Sequence, residues 1–210
     1  PADFDTRCMA LGFTYMGYNM LADPEIQDHL DPATQFMHDW MHCIFVSGIF
    51  NITLWLTLRA IQQAGRRDIY SMLHEALKLW HWPKRLQQTK LFQLFVKSRQ
   101  ESNNDAKKFK CDASAGLSMY SVIALFLGSP AVGVAATAVY AYSVLSDLID
   151  LFQAANRGNV SANDLLSKIE DFLDAFDAAF GPDKRTPKFH WLLHFSDILY
   201  TYGYLSLIHI

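Results

Sequence analysis

Cysteine is scarce in this chain: Cys8, Cys43 and Cys111 are the only three in 210 residues, and no two stand in a CxxC spacing. An odd, unpaired set argues against a disulfide framework and favours a reducing compartment. Charge of one sign is also lacking. The formal net charge is -3, so nothing about the chain as a whole demands a nucleic acid or an anionic membrane. The opening residues carry Asp3, Asp5 and Arg7 where a signal peptide would have its apolar segment. The sequence is therefore expected to begin partway through a longer protein. No P-loop, Rossmann or Ser-His-Asp pattern points to another enzyme class. A long unbroken apolar run is missing too. Residues 113–146 go 34 positions without a charged side chain, but Gly128-Ser129-Pro130 divides them. Each piece is shorter than the ~20 residues a membrane span needs. Two buried helices, over 117–127 and 131–145, are the better account. A small helical membrane-associated protein is the alternative, and it requires 113–146 to partition into lipid.

What is present is a chain rich in apolar residues, 51% of the total, enough to bury a core within one domain. Residues 1–34 read as an irregular spacer, punctuated by Gly12, Gly17, Pro24 and Pro32. A long helix is expected over 34–65, apolar nearly all round and hence central, with Gly48 as a kink or close-packing point. Further helices are predicted over 68–80, stopped by His81-Trp82-Pro83, and over 84–99, leading into a polar loop, SNNDAKKFK. Another, over 161–180, starts at Ser161 or Asn163 and stops at Gly181-Pro182. Its Glu170, Asp171, Asp174 and Asp177 read as a wet face with no chemistry. The last helix covers 187–202.

Two pairs of side chains carry the sharpest chemical signal. Asp39 and His42, in FMHDWMHCIFVSGIFN, are three apart and fall on one helical face; His190 and His194, in PKFHWLLHF, are four apart. Brought together, they could close as a clasp around a metal ion. The plainer reading is buried polar pairs that satisfy one another.

The charge is uneven. Lys84, Arg85, Lys90, Lys97, Arg99, Lys107, Lys108 and Lys110 stand against Glu101 and Asp105, about +6 in one segment and -9 elsewhere. A polyanion partner should meet that segment; an ordinary solvated helix face has the same composition.

With those residues in view, DWMHCIFVSGIFN resembles the transposase-like open reading frames of eukaryotic cut-and-paste elements, chiefly the CACTA, Plavaka and Kyakuja-Dileera-Zisupton groups. LADPEIQDHLDP before it, and FKCDASAGLSMYSV and TPKFHWLLHFSDILYTYGYL after it, belong to the same likeness. The resemblance implies a mainly α multi-helix bundle, the helical insertion (residues 35–204) of a ribonuclease H-like DDE transposase. It also implies that Asp39, His42, His190 and His194 form a clasp that binds zinc in some relatives, and that DNA is the partner. A nuclear location and a homo-oligomer are consistent with it. Strand cleavage and transfer in that family use two Asp and one Glu that hold Mg or Mn. None of these is identifiable here: Asp5 is the only upstream candidate, in a spacer-like context. No catalytic residue is therefore assigned, and the chain is expected to be inactive alone. A domesticated, non-catalytic scaffold or DNA-binding module is the alternative. The ending, Leu205-Ser206-Leu207-Ile208-His209-Ile210, is what CTG TCT CTT ATA CAC ATC encodes, which resembles a tagmentation sequencing adapter. Residues 205–210 are expected to be adapter read-through.

Overall fold

Eight α-helices and three 3-10 turns account for most of the computed structural model, which describes residues 39–86 and 90–205. The expected spacer at 1–34, Asp5, the start of the expected first helix and residues 206–210 lie outside the described residues. The helices are α1 (Trp40–Phe45), α2 (Ile49–Gln63), α3 (Ile69–Leu79), α4 (Lys97–Ala106), α5 (Ala113–Leu127), α6 (Ala136–Ala155), α7 (Ala162–Phe180) and α8 (Pro187–Tyr202). No strand occurs among the described residues, so the fold is mainly α.

Helix α6 is the axis of the packing. It lies against α7, which follows after a short turn, and also against α2 and α5; α7 in turn packs on α8, and α8 on α1. Aromatic pairs fix α1 and α8 on α6. Trp40 of α1 stacks on Phe152 of α6 at 5.4 Å, and Phe152 meets Phe195 of α8 edge-on at 5.2 Å. Offset and edge-on pairs of this kind add to the burial of their large apolar area. Asn156 joins the same corner, its amide oxygen accepting from the Trp40 indole at 3.0 Å and its nitrogen donating to the Leu205 carbonyl.

Several helix ends fall where local chemistry places them. Ser161 caps α7 by accepting from the Asp164 amide, and Asp112 caps α5 by accepting from Ala115. Helix α8 begins at Pro187, as a first-turn proline should. The apolar run divides as expected, α5 ending at Gly128 and α6 beginning beyond the turn. One stretch, Trp40–Gln63, is long and apolar enough by composition to cross a membrane, with mean hydropathy 1.6. It is largely buried inside the fold and broken in the middle.

That break corrects the expectation of one long helix and falls at Gly48, the expected kink or close-packing point. The chain leaves α1 at Val46, Ser47 turns left-handed at φ 49°, and Gly48 opens α2. Tertiary bonds hold the break: Lys188 donates to the Val46 carbonyl and Lys108 to Ser47 Oγ. A Cβ on Gly48 would sit 2.1 Å from the Cys43 carbonyl oxygen, so the backbone folds tightly on itself there. A second correction concerns 84–99. It is not one helix but two 3-10 turns, Lys84–Leu86 and Leu91–Phe95, and Lys90 adopts a left-handed conformation that a continuous helix cannot contain. The polar stretch is divided: residues 102–106 are the last turns of α4, and only 107–110, from the left-handed Lys107 onward, run as the expected loop. Buried Asn103 accepts from the Lys110 amide at 2.9 Å, and Asn104 accepts from the Trp55 indole at 3.1 Å. Those tertiary bonds outweigh the weak helix propensity of asparagine.

Candidate functional site

Asp39 is not on a helix face. It is the N-cap of α1, its carboxylate accepting from the Met41 amide at 2.9 Å, a role for which Asp is among the best residues. His42 is exposed on α1. The second pair does share a face: His190 and His194 bring their Nε2 atoms to 3.2 Å with the rings edge-on. Two nitrogens on one zinc stand about 3.3 Å apart, given a Zn–N distance of ~2.0–2.1 Å and tetrahedral angles. The pair therefore offers two ligands. Among the described residues, however, no three of His, Cys, Asp and Glu gather into a metal site. Asp39, spent as a cap, does not complete one.

The helices carrying the two pairs are nevertheless side by side, joined by residues outside the expected four. Cys43 donates its thiol proton to the Lys188 carbonyl at 3.3 Å, and the Lys188 ammonium donates to the carbonyls of His42 and Val46 at 3.1 and 2.6 Å. Lysine thus adds a donor to the carbonyls at the C-terminal end of α1, the His42 oxygen already accepting from the Val46 amide, and the helix dipole also favours positive charge there. Burial lowers the Lys188 pKa, and nearby Lys108 lowers it further, against the influence of Cys43.

Burial also pushes the Cys43 thiol up to about 12 from an ordinary 9.0; Lys188 opposes this and Asp39 adds to it. The Cys111 thiol is likewise raised to about 12, chiefly by burial. Both thiols hold their protons in the fold more tightly than when unfolded, so their contribution to stability is full below pH 9 and is lost as pH rises toward 12. Denaturant midpoints measured across pH 8 to 11 should accordingly fall above pH 9, and less steeply in Cys43→Ala. A flat alkaline profile would contradict the burial of these thiols.

Asn51, 1% exposed, organises the other side of the break. Its side-chain oxygen accepts from the Gly48 amide at 2.9 Å, while its nitrogen donates to the Phe109 carbonyl at 2.8 Å and lies 3.6 Å from Cys111 Sγ. The Phe109 amide returns a bond to the Asn51 carbonyl at 2.8 Å. The three-residue spacing from Gly48 to Asn51 matches half of a capping box and was the available signal for this role.

The eight basic residues fall on several short elements. Lys84 and Arg85 are exposed on the first 3-10 turn, and Lys90 is exposed before the second. Lys97, Arg99 and Lys107 are exposed on or just after α4; Lys108 is half-buried and Lys110 exposed. Lys108 donates to Ser47 Oγ at 3.0 Å and Lys110 to Ser102 Oγ at 2.8 Å. Among the described residues none of the eight is paired with a carboxylate, whereas Arg66, Lys78, Lys168, Lys184 and Arg185 each are.

Three concavities bring part of this set together. The largest, about 680 Å³, has Lys90 and Arg99 in its wall. A second, of about 300 Å³, shares Leu94, Arg99 and Asp112 with it and adds Lys108 and Lys110. A third, of about 340 Å³, shares Leu86, Lys90 and Leu91 with the first and adds Lys78, Trp80 and Trp82. Shared lining residues place the three side by side, as a row of concavities with the outline of a trough. Asp112 is the only carboxylate in those walls among the described residues, and its Oδ1 is engaged at 2.6 Å with the Ala115 amide. Such a trough can receive a chain of phosphates. The exposed Lys84, Arg85, Lys97 and Lys107 do not line it.

Neither a protein-family model, a curated protein nor a solved structure matches this chain.

Proposed function

We propose that the chain is the helical insertion of a DDE-type transposase-like protein, and that its part is to contact nucleic-acid phosphates along the trough between the Leu91–Phe95 turn, α4 and α5. The observation that carries this reading is the line of cations Lys90, Arg99, Lys108 and Lys110, none with a carboxylate partner among the described residues, in adjacent concavities of a chain whose net charge is negative. Uncompensated cations repel one another in the fold, and an added row of anions relieves that repulsion. The packing of α8 on α1 supports the family reading, since the resemblance pairs the elements that carry DxxH and HxxxH. Zinc is no part of the proposal: two histidines alone do not constitute its site among the described residues.

Binding of a labelled DNA of arbitrary sequence to the full chain, measured across salt concentrations, tests this. Four phosphate contacts should give log K against log salt a slope of about -3 to -4, with little dependence on sequence. Arg99→Glu combined with Lys90→Glu should weaken binding roughly a hundredfold at low salt. Salt-independent binding, or an unchanged affinity in the double variant, would remove the trough from consideration.

A further inference from the structure

The trough has two chemically different ends. At one, Lys108 and Lys110 supply charge alone. At the other, the chain leaves α3 through Leu79-Trp80-His81-Trp82, and Trp80 turns extended at φ -65°, ψ 136°. Leu79 is 76% exposed and Trp80 41% exposed, in a fold whose other tryptophans are buried or half-buried. The aromatic neighbours are fixed. The Trp82 indole donates to the Leu77 carbonyl at 2.9 Å. Phe92 meets His74 edge-on at 5.1 Å, and its carbonyl lies 2.9 Å from His74 Nδ1. Trp80, Trp82 and Phe92 all line the concavity of about 340 Å³, with Lys78 and Lys90 beside them. A volume of that size is within the range of small-ligand sites.

Cations alone would serve any polyanion. An exposed aromatic ring in the same trough, Trp80, adds a preference, because a planar π-surface rewards a partner with its own free flat faces. Nucleobases in a duplex are stacked on each other and offer none; in a single strand every base does, whatever its identity. We infer that the trough takes single-stranded nucleic acid, with a base stacked on the exposed Trp80 and the phosphates led past Lys90 and Arg99 toward Lys108 and Lys110. This rests on the proposed phosphate-binding role and makes it specific: the strand is recognised by its unpaired bases as well as by its charge. Lys90, common to the aromatic and central concavities, marks where stacking gives way to phosphate contact.

The test compares oligo(dT), oligo(U) and a duplex of equal phosphate number on the full chain, by anisotropy and by quenching of tryptophan emission. Oligo(dT) should bind at least about tenfold more tightly than duplex. Trp80→Ala should lose about tenfold on the single strand and leave duplex affinity unchanged, whereas Trp80→Phe, which keeps a stacking ring, should stay within about threefold of the parent. Because Trp80 is a partly exposed residue at a helix end, both variants can be checked for the parent's helical signal before binding is read. Oligo(U) binding as tightly as oligo(dT) supports recognition of the bases without the sugar; a tenfold preference for either supports the inference and identifies the strand type. Equal affinity for single strand and duplex, or competition by polyphosphate as effective as by oligo(dT), overturns the inference and leaves the phosphate trough standing. Absence of any nucleic-acid binding overturns both.

Discussion

Replacing Gly48 with alanine is expected to cost about 4 kcal/mol, a large part of the roughly 5–15 kcal/mol by which a domain is stable. The new Cβ would lie 2.1 Å from the Cys43 oxygen, 2.6 Å from the Ile44 oxygen and 2.7 Å from the Ile44 carbonyl carbon. All three are backbone atoms, so no side-chain rotation relieves the clash. Only a shift of α1 against α2 does, and α1 buries Trp40, Cys43, Ile44 and Phe45. Gly65→Ala is the control. Its φ of +108° strains an alanine, but no neighbouring atom lies within 4 Å of the new Cβ. Its cost should be nearer 1–2 kcal/mol. Urea denaturation of the two variants gives the comparison; a Gly48→Ala loss no larger than that of Gly65→Ala would mean the break is not a close backbone packing.

Asn51→Leu is expected to lose about 3 kcal/mol, although it places an apolar residue in an apolar interior. It strands the Gly48 amide and the Phe109 carbonyl, each a buried group without its partner, at about 1–3 kcal/mol apiece. The Phe109 amide keeps its bond to the Asn51 main chain, so the segment after α4 should stay attached but loosened. Hydrogen exchange at the Gly48 amide reads the effect directly: it should accelerate in Asn51→Leu by more than global destabilisation accounts for. Exchange following global stability alone would show that Asn51 only fills space. The two substitutions share a partner, so their costs should not add.

Much of the fold is written locally, and that part was legible. The α7 cap at Ser161, the first-turn Pro187 of α8 and the turn after Gly128 are decided by residues within a few positions of each helix end. Of the break between α1 and α2, only its place at Gly48 was legible, as a kink or close-packing point. Apolar residues continue across it at helical spacing, and what holds it open is Lys188, Lys108 and Asn51, two of them far away in sequence. The same limit hid α4, whose asparagines are committed to Trp55 and Lys110. At the site, His190 and His194 could be read as one face because their helix is continuous, whereas Asp39 stands outside the helix that its spacing assumed. The basic segment was visible as charge. Its partial convergence on a trough, and the aromatic end of that trough, depend on two 3-10 turns that periodicity does not foresee.

The Lys188 bonds to α1 also bear on how the chain comes together. They join residues 142 and 146 positions apart, and closing a loop of that length costs about 4 kcal/mol of chain entropy before any contact repays it. Helices α6, α7 and α8 are consecutive and pack on their neighbours, so they can assemble without that cost. Six residues are too few for α1 to persist alone. The docking of α1 on α8 is therefore expected late in folding, and bonds formed late govern how fast a protein comes apart more than how fast it forms. Lys188 is expected to act in this sense as a latch, and its loss to speed the opening of the molecule more than it slows the closing.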